Sequence, residues 1–296
     1  MLPTKYCSRK FRYILIGFLF TILIIFPFTN ATSGKDDARY FNWLETKLVG
    51  DGFDADMIKS LFKNPKLSFN VKDVSLFFVH SESRLNYNQY LHSSVILLAK
   101  KYIRVHLTDL EAAEKRYGVD KEIITAIILV ETNLGTLLGK SHVFSTLATM
   151  ASLSEPLLKE KLWRRIPAKR RLARKRYDKK VSQKSEWAYN EVKAFINYTS
   201  HENIDPYSIY GSYAGAMGIS QFMPSNIMPL GRDGNNDGRV DLFNHADAIA
   251  SIANYLKHYG WRSGMNDKDA YKVIFTYNHS KPYVKTILAI AKSLKG

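Results

Sequence analysis

The chain has 296 residues, 46 % of them hydrophobic and 13 % aromatic, a folded globular composition long enough for one large core or two small ones. Its 43 lysines and arginines against 27 acids leave a formal charge of +16, which points to anionic partners. The only cysteine, Cys7, excludes a disulfide framework and a cysteine-built zinc site.

At the N-terminus, Lys5, Arg9, Lys10 and Arg12 precede an apolar run at residues 13–28, followed by small and polar residues. A basic start, a short apolar core and a small-residue exit describe a secretory signal, and an uncleaved membrane anchor is the alternative. Residues 1–33 are therefore expected to direct export, to the periplasm in a bacterium, with the remainder soluble or attached to the inner membrane. Export also argues against nucleic acid as the anionic partner.

Residues 34–105 read as an N-terminal helical region. "YFNWLETKLV" carries Phe41, Leu44 and Leu48 at helical spacing with Gly50 to stop it, and residues 92–103 form a second apolar run. Thr108 and Glu111 have capping-box spacing and predict a helix start there, with Gly118 as its end. Asp120 then opens "IITAIILVETNLG", residues 123–135, where Ile124, Ile127, Ile128 and Glu131 share one face. Desolvation on that face would raise the pKa of Glu131, as a general acid requires. A salt-bridged glutamate at a helix end is the plainer alternative.

Residues 159–184 are about half Lys or Arg with two acids, Glu160 and Asp178. Such a run is either a solvated, helical or disordered insertion or an anchor on an anionic membrane or wall polymer. From residue 203 on, glycine-rich loops alternate with helices, one over residues 247–260 and one starting after Ser280 with Pro282 in its first turn. Alternating β-branched runs are scarce, so the fold class is mostly α, with at most a small β element.

Three further stretches could carry chemistry. In "GSYAGAMGISQFMPSN", residues 211–226, little side chain precedes Gln221, which suits close backbone approach to a neutral ligand or a tight turn. In "DGNNDGRVDLFNHAD", residues 233–247, Asp233, Asn235, Asp237, Gly238, the carbonyl of Arg239 and Asp241 fall at calcium-loop positions. Position twelve is Asn244 rather than glutamate, and Asp247 is the nearest replacement; a plain surface turn is the alternative. In "TYNHSKPY", residues 276–283, Tyr277 and Asn278 combine apolar surface with hydrogen-bonding groups, as a carbohydrate cleft does, or simply pack a loop.

Taken together and in this order, residues 117–151, 205–226, 233–261 and 277–284 resemble the membrane-bound lytic murein transglycosylase B family of bacterial cell-wall enzymes. The resemblance implies a lysozyme-like catalytic domain over residues 106–296, with residues 159–184 as an insertion. It also implies cleavage of the MurNAc–GlcNAc β-1,4 bond of peptidoglycan glycan strands. Glu131 matches the family's catalytic acid; Ser212, Gln221, Tyr255, Tyr277 and Asn278 match its glycan-holding residues. Asp233, Asn235, Asp237, the Arg239 carbonyl and Asp247 match the ligands of a structural Ca2+ in an EF-hand-like loop, and no organic cofactor is expected. Leu134 stands where the family often has an aromatic residue, Gly218–Ile219–Ser220–Gln221 lacks the family's aromatic after the glycine, and the basic insertion has no counterpart. With one catalytic carboxylate, the expected reaction uses the substrate's own groups in place of water; a hydrolytic muramidase and a non-catalytic wall- or membrane-binding protein are the alternatives.

Overall fold

The computed structural model describes residues 38–79 and 86–296, so the apolar N-terminal run lies outside the described residues. Ser33–Gly296 is one compact unit. It is built from helices: α1 (Asn42–Gly50), α2 (Ala55–Lys63), α3 (Val71–Val79), α4 (Ser93–Val105), α5 (Leu107–Tyr117), α6 (Lys121–Thr132), α7 (Val143–Ala151), α8 (Pro156–Arg165), α9 (Arg174–His201), α10 (Pro224–Leu230), α11 (His245–His258), α12 (Asp267–Tyr277) and α13 (Lys281–Lys295). The small β element consists of β1 (Ser141–His142) and β2 (Tyr210–Gly211), antiparallel, extended by bridges from Gly211 to Met217 and from Met217 to Phe222. Among the described residues no helix is long and apolar enough to cross a membrane.

The sequence signals for α13 and for the end of α5 operate as expected. Ser280 accepts a hydrogen bond from the Tyr283 N–H at the start of α13, and Gly118 closes α5 at φ 70°. The capping box does not operate: α5 starts at Leu107, with only His106 between it and the end of α4, and Thr108 lies inside it. Its side chain cannot cap a turn that is already helical. Asp120 precedes α6 without a side-chain cap, its carboxylate paired instead with Lys295 at 3.3 Å. The helix expected at residues 247–260 begins earlier, capped by Asn244 onto the Ala246 N–H.

One hydrophobic core runs from Phe41 to Leu294, so helices from residues 38–105 and from residues 106–296 share it. The largest revision concerns α6. Not one face but nearly the whole helix is buried, with Ile124, Ala126, Ile127, Ile128 and Leu129 fully enclosed. Each buried Ile or Leu contributes about 1.5–3 kcal/mol, which makes α6 a rigid central rod, packed against α13, α5 and α4. Its last turn delivers Glu131.

The basic insertion is ordered as α8, a short 3-10 turn at Ala168–Arg170 and the first turns of α9. Further along α9, Glu191 is 3 % exposed and accepts hydrogen bonds from the N–H (2.9 Å) and hydroxyl (2.8 Å) of Ser225, anchoring α10. Burial holds its carboxyl above the usual carboxylate range, against the lowering effect of those two bonds. Because the folded pKa is raised, its contribution is full below the unfolded value and is lost as pH rises through the folded one. Glu191→Gln keeps both bonds without the charge. The expected result is an equal or higher melting temperature at pH 7 and a flatter decline between pH 4.5 and 7, read by thermal denaturation; a marked loss at pH 7 would contradict it.

Candidate active site

α6 ends just past Glu131 in three consecutive left-handed residues, Asn133 (φ 48°), Leu134 (φ 60°) and Gly135 (φ 84°). Such a conformation is costly for Asn and especially Leu, and tertiary contacts maintain it. The Leu134 N–H reaches the Ile128 carbonyl at 3.2 Å, and its side chain packs on the core. The buried Thr132 hydroxyl bonds to the Ile128 and Ile219 carbonyls and accepts from the Gly135 N–H. The turn after Glu131 is thereby tied to the glycine-rich loop.

Glu131 itself is half-buried. The Tyr283 hydroxyl on α13 donates to its Oε1 at 2.7 Å. Burial, and then the Glu131 charge, push the Tyr283 phenol well above its usual range, so it stays a neutral donor. Two more tyrosines come from a 3-10 turn at Tyr87–Leu91: Tyr87 meets the Tyr283 ring edge-on at 6.4 Å, and the Tyr90 hydroxyl donates to the Val130 carbonyl at 3.3 Å. Neither was legible in the sequence, because "YNQY" has no periodicity or motif to set it apart. Tyr283 had a signal, lying in the same stretch as Tyr277, but nothing in spacing says that its hydroxyl reaches back to α6.

The residues expected to hold glycan lie on the glycine-rich loop, α11 and α12. Tyr277, Tyr255 and Phe222 make an aromatic cluster, with Tyr255 and Tyr277 edge-on at 4.9 Å and Phe222 5.6 Å from Tyr255. The Tyr277 hydroxyl donates to the Ser220 carbonyl and the Tyr255 hydroxyl to that of Thr276. Burial pushes the Tyr255 phenol up to about 12. The Tyr277 phenol is held well above its usual range by burial and then by the charge of Glu131, which places the two in one electrostatic neighbourhood. The Tyr277 hydroxyl ties α12 to the glycine-rich loop, while that of Tyr255, itself buried, ties α11 to α12. Gln221, held at φ 49°, donates from Nε2 to the Gly218 and Leu138 carbonyls, leaving Oε1 with no donor among the described residues. The Ser212 oxygen accepts from the N–H groups of Ala214 and Ala216, which leaves its own proton to donate. Asn278 follows Tyr277 at the end of α12.

Glycine is required at two points of this loop. A Cβ on Gly218 (φ 73°) would lie 2.6 Å from the Leu242 carbonyl oxygen, and one on Gly211 2.1 Å from that of Ala216. The Ile219 N–H donates to the same Leu242 carbonyl at 2.8 Å. Leu242 lies within the Asp/Asn-rich loop, so that loop props the glycine-rich loop.

In the Asp/Asn-rich loop, Asp233 accepts from the N–H groups of Asp237 and Gly238, and Asp237 from that of Arg239. Asp247, fully buried, accepts from Gly234, Asn235 and Asp241 N–H groups. Burial, and less strongly the Asp233 charge, hold its carboxyl above the usual range. The Arg239 guanidinium turns away to the Glu202 carbonyl and carboxylate. The loop is rich in the hard oxygen donors that a calcium ion takes, and here its carboxylates are held by loop N–H groups. A second acidic group, Glu114, Asp120 and Glu122, brings ligand atoms within 4.8 Å of one another, but Lys121 and Lys295 pair with it.

The site is a half-buried acid at the end of a central buried helix, tied through Thr132 to a glycine-rich loop that carries Gln221 and meets Tyr277. The sequence matches the transglycosylase SLT domain family over residues 36–268, more than three quarters of the chain. The chain belongs to the transglycosylase SLT domain family. It is 35 % identical over 155 residues to membrane-bound lytic murein transglycosylase B of Escherichia coli (strain K12), a match covering 52 % of this chain and 36 % of that protein. The chain thus spans about a third of that relative's length. Two solved structures share the lysozyme-like fold of this family. Escherichia coli lytic transglycosylase Slt35 in complex with calcium is 21 % identical, with a TM-score of 0.66 over 89 % of this chain and 95 % of that one. SltB3 from Pseudomonas aeruginosa in complex with NAG-anhNAM-pentapeptide is 20 % identical, with a TM-score of 0.67 over 87 % of this chain and 79 % of that one.

Proposed function

We propose that the protein is a peptidoglycan lytic transglycosylase that cleaves the MurNAc–GlcNAc β-1,4 bond without water, with Glu131 as acid and then base. The observation that carries this reading is the placement of Glu131 on Tyr283 and near Tyr277, at the rim of the glycine-rich loop. Glycosidases that use two carboxylates need both free to flank the bond. The buried acids Glu191, Glu202 and Asp247 are each engaged, with Ser225, Arg239 and loop N–H groups respectively. One acid is sufficient when the substrate supplies the nucleophile.

In the first step Glu131 gives its proton to the leaving GlcNAc oxygen while the MurNAc N-acetyl carbonyl oxygen bonds to the anomeric carbon, whose glycosidic bond breaks. In the second, ionised Glu131 takes the proton of the carbon-6 hydroxyl. Oxygen-6 then bonds to the anomeric carbon, the acetamido bond breaks, and a 1,6-anhydro ring remains. Tyr283 holds the Glu131 carboxyl in one orientation across both steps. Ser212, Gln221, Tyr255, Tyr277 and Asn278 hold the glycan, residues 106–296 forming the catalytic region and residues 34–105 contributing Tyr87 and Tyr90. SltB3 from Pseudomonas aeruginosa, solved in complex with NAG-anhNAM-pentapeptide, supports this reading.

Asp233, Asn235, Asp237, the Arg239 carbonyl and Asp247 would hold a calcium ion, which pins the loop and takes no part in proton transfer. We assign the chain to export and the bacterial periplasm on its N-terminal pattern. Mass spectrometry of digested sacculi tests the reaction: anhydro-ended muropeptides are expected, and reducing-end products heavier by one water would make it a muramidase.

A further inference from the structure

The basic insertion separates into cations the fold uses and cations it does not. Arg164 pairs with Glu160, Arg174 with Glu160 and Asp178, and Lys159 with Asp178. Arg171 bonds to the Ile166 and Arg164 carbonyls, and Lys184 lies over the Trp187 ring. Both acids of the run are thereby occupied. Arg165, Lys169, Arg170, Lys175, Arg176 and Lys179 remain, all exposed, with no side-chain hydrogen bond or ion pair among the described residues. Lys175, Arg176 and Lys179 share one face of α9. Like charge accumulates here: Lys180 is depressed by burial and then by the charges of Lys184 and Arg176.

Two observations identify the anion. Leu157 on α8 is 84 % exposed beside this surface, and an outward leucine among cations favours an acyl boundary over a soluble polymer. The second is where the chain emerges. Lys161 of α8 donates to the Tyr40 hydroxyl at 2.7 Å and sits over its ring at 3.9 Å, so the start of the described chain lies on α8. In the sequence, nine residues, 29–37, separate Ala38 from the apolar run at residues 13–28.

We propose that this α8–α9 surface binds the anionic headgroups of a lipid bilayer, as a second attachment beside the N-terminal segment. A single apolar anchor with a polybasic patch is a stable combination, and the patch acts electrostatically. The proposal does not depend on the cleavage reaction, because binding is read without turnover.

The test is flotation of the full-length chain with phosphatidylcholine vesicles, alone or with phosphatidylglycerol. Changing all six residues to Gln leaves the N-terminus intact. The expected result is about a tenfold or greater loss of partitioning into the phosphatidylglycerol vesicles, unchanged partitioning into phosphatidylcholine, and unchanged cleavage of soluble glycan. Arg↔Lys exchange at the six positions should retain binding. Equal partitioning of the variant and the parent would overturn the proposal. So would lost sedimentation with purified sacculi at unchanged lipid partitioning, which would make the surface a wall-polymer site. If the sixfold variant melts abnormally, Lys175→Gln/Arg176→Gln/Lys179→Gln carries the same test, with about a threefold loss expected.

Discussion

Glu131→Gln is expected to lower the rate of anhydro-muropeptide release from purified peptidoglycan by about a thousandfold, within the range for loss of a general acid–base group. The melting temperature should barely change. Glutamine retains a carbonyl oxygen to accept the Tyr283 hydroxyl, now 2.7 Å from Oε1, and α6 is held by its buried isoleucines rather than by its last side chain. What the variant lacks is a transferable proton for the leaving oxygen. A substantial residual rate, with the fold intact, would remove Glu131 from the proposed role; lost activity with a collapsed melting temperature would make its effect structural.

The second large effect is expected at Asp247. Asp247→Ala removes the acceptor of three backbone N–H groups inside a fully buried site. Unsatisfied buried donors cost about 1–3 kcal/mol each, and partial relaxation brings the sum to about 3–5 kcal/mol. The loss should appear as a fall in melting temperature of about 10 °C. Activity should fall with it, up to about a hundredfold, because the loop's Leu242 carbonyl holds Ile219, and Ile219 in turn accepts from Thr132 beside Glu131. The parent protein should be stabilised by calcium, by about 2.7 kcal/mol at a hundredfold excess over Kd, and the variant should not. The pH dependence has a definite sign. Asp247 has a raised folded pKa from burial, so without metal its contribution is lost as pH rises through that value. A bound cation favours the carboxylate, so the calcium-induced rise in melting temperature should grow from pH 4.5 to pH 7. Identical melting with EDTA and with calcium at pH 7 would dismiss the loop as a metal site.

Local chemistry made several elements legible before any coordinates. Ser280 and Pro282 mark the start of α13, Gly118 marks the end of α5, and the scarcity of alternating β-branched runs matches a sheet of two short strands. These are properties of a few adjacent residues, and adjacency is what a sequence records. The capping-box spacing at Thr108 failed because α4 and α5 follow one another almost without a break, so the turn that would have used the cap never forms.

The linear pattern also isolated the acid on the apolar helix, the glycine-rich loop and the alternating Asp and Asn residues, and the order of those stretches determined the family. Tertiary structure decided how they act on one another. That α6 is buried on every side, that Tyr283 reaches Glu131 across 152 residues, and that Thr132 and Leu242 grip Ile219 from opposite sides all depend on packing between distant segments. The same holds for the cations: composition determined a positive run, but only the fold decided which charges meet Glu160, Asp178 or an aromatic ring and which face solvent. Periodicity specifies the face a residue occupies; the partner across that face is set by the close packing of helices far apart in the chain.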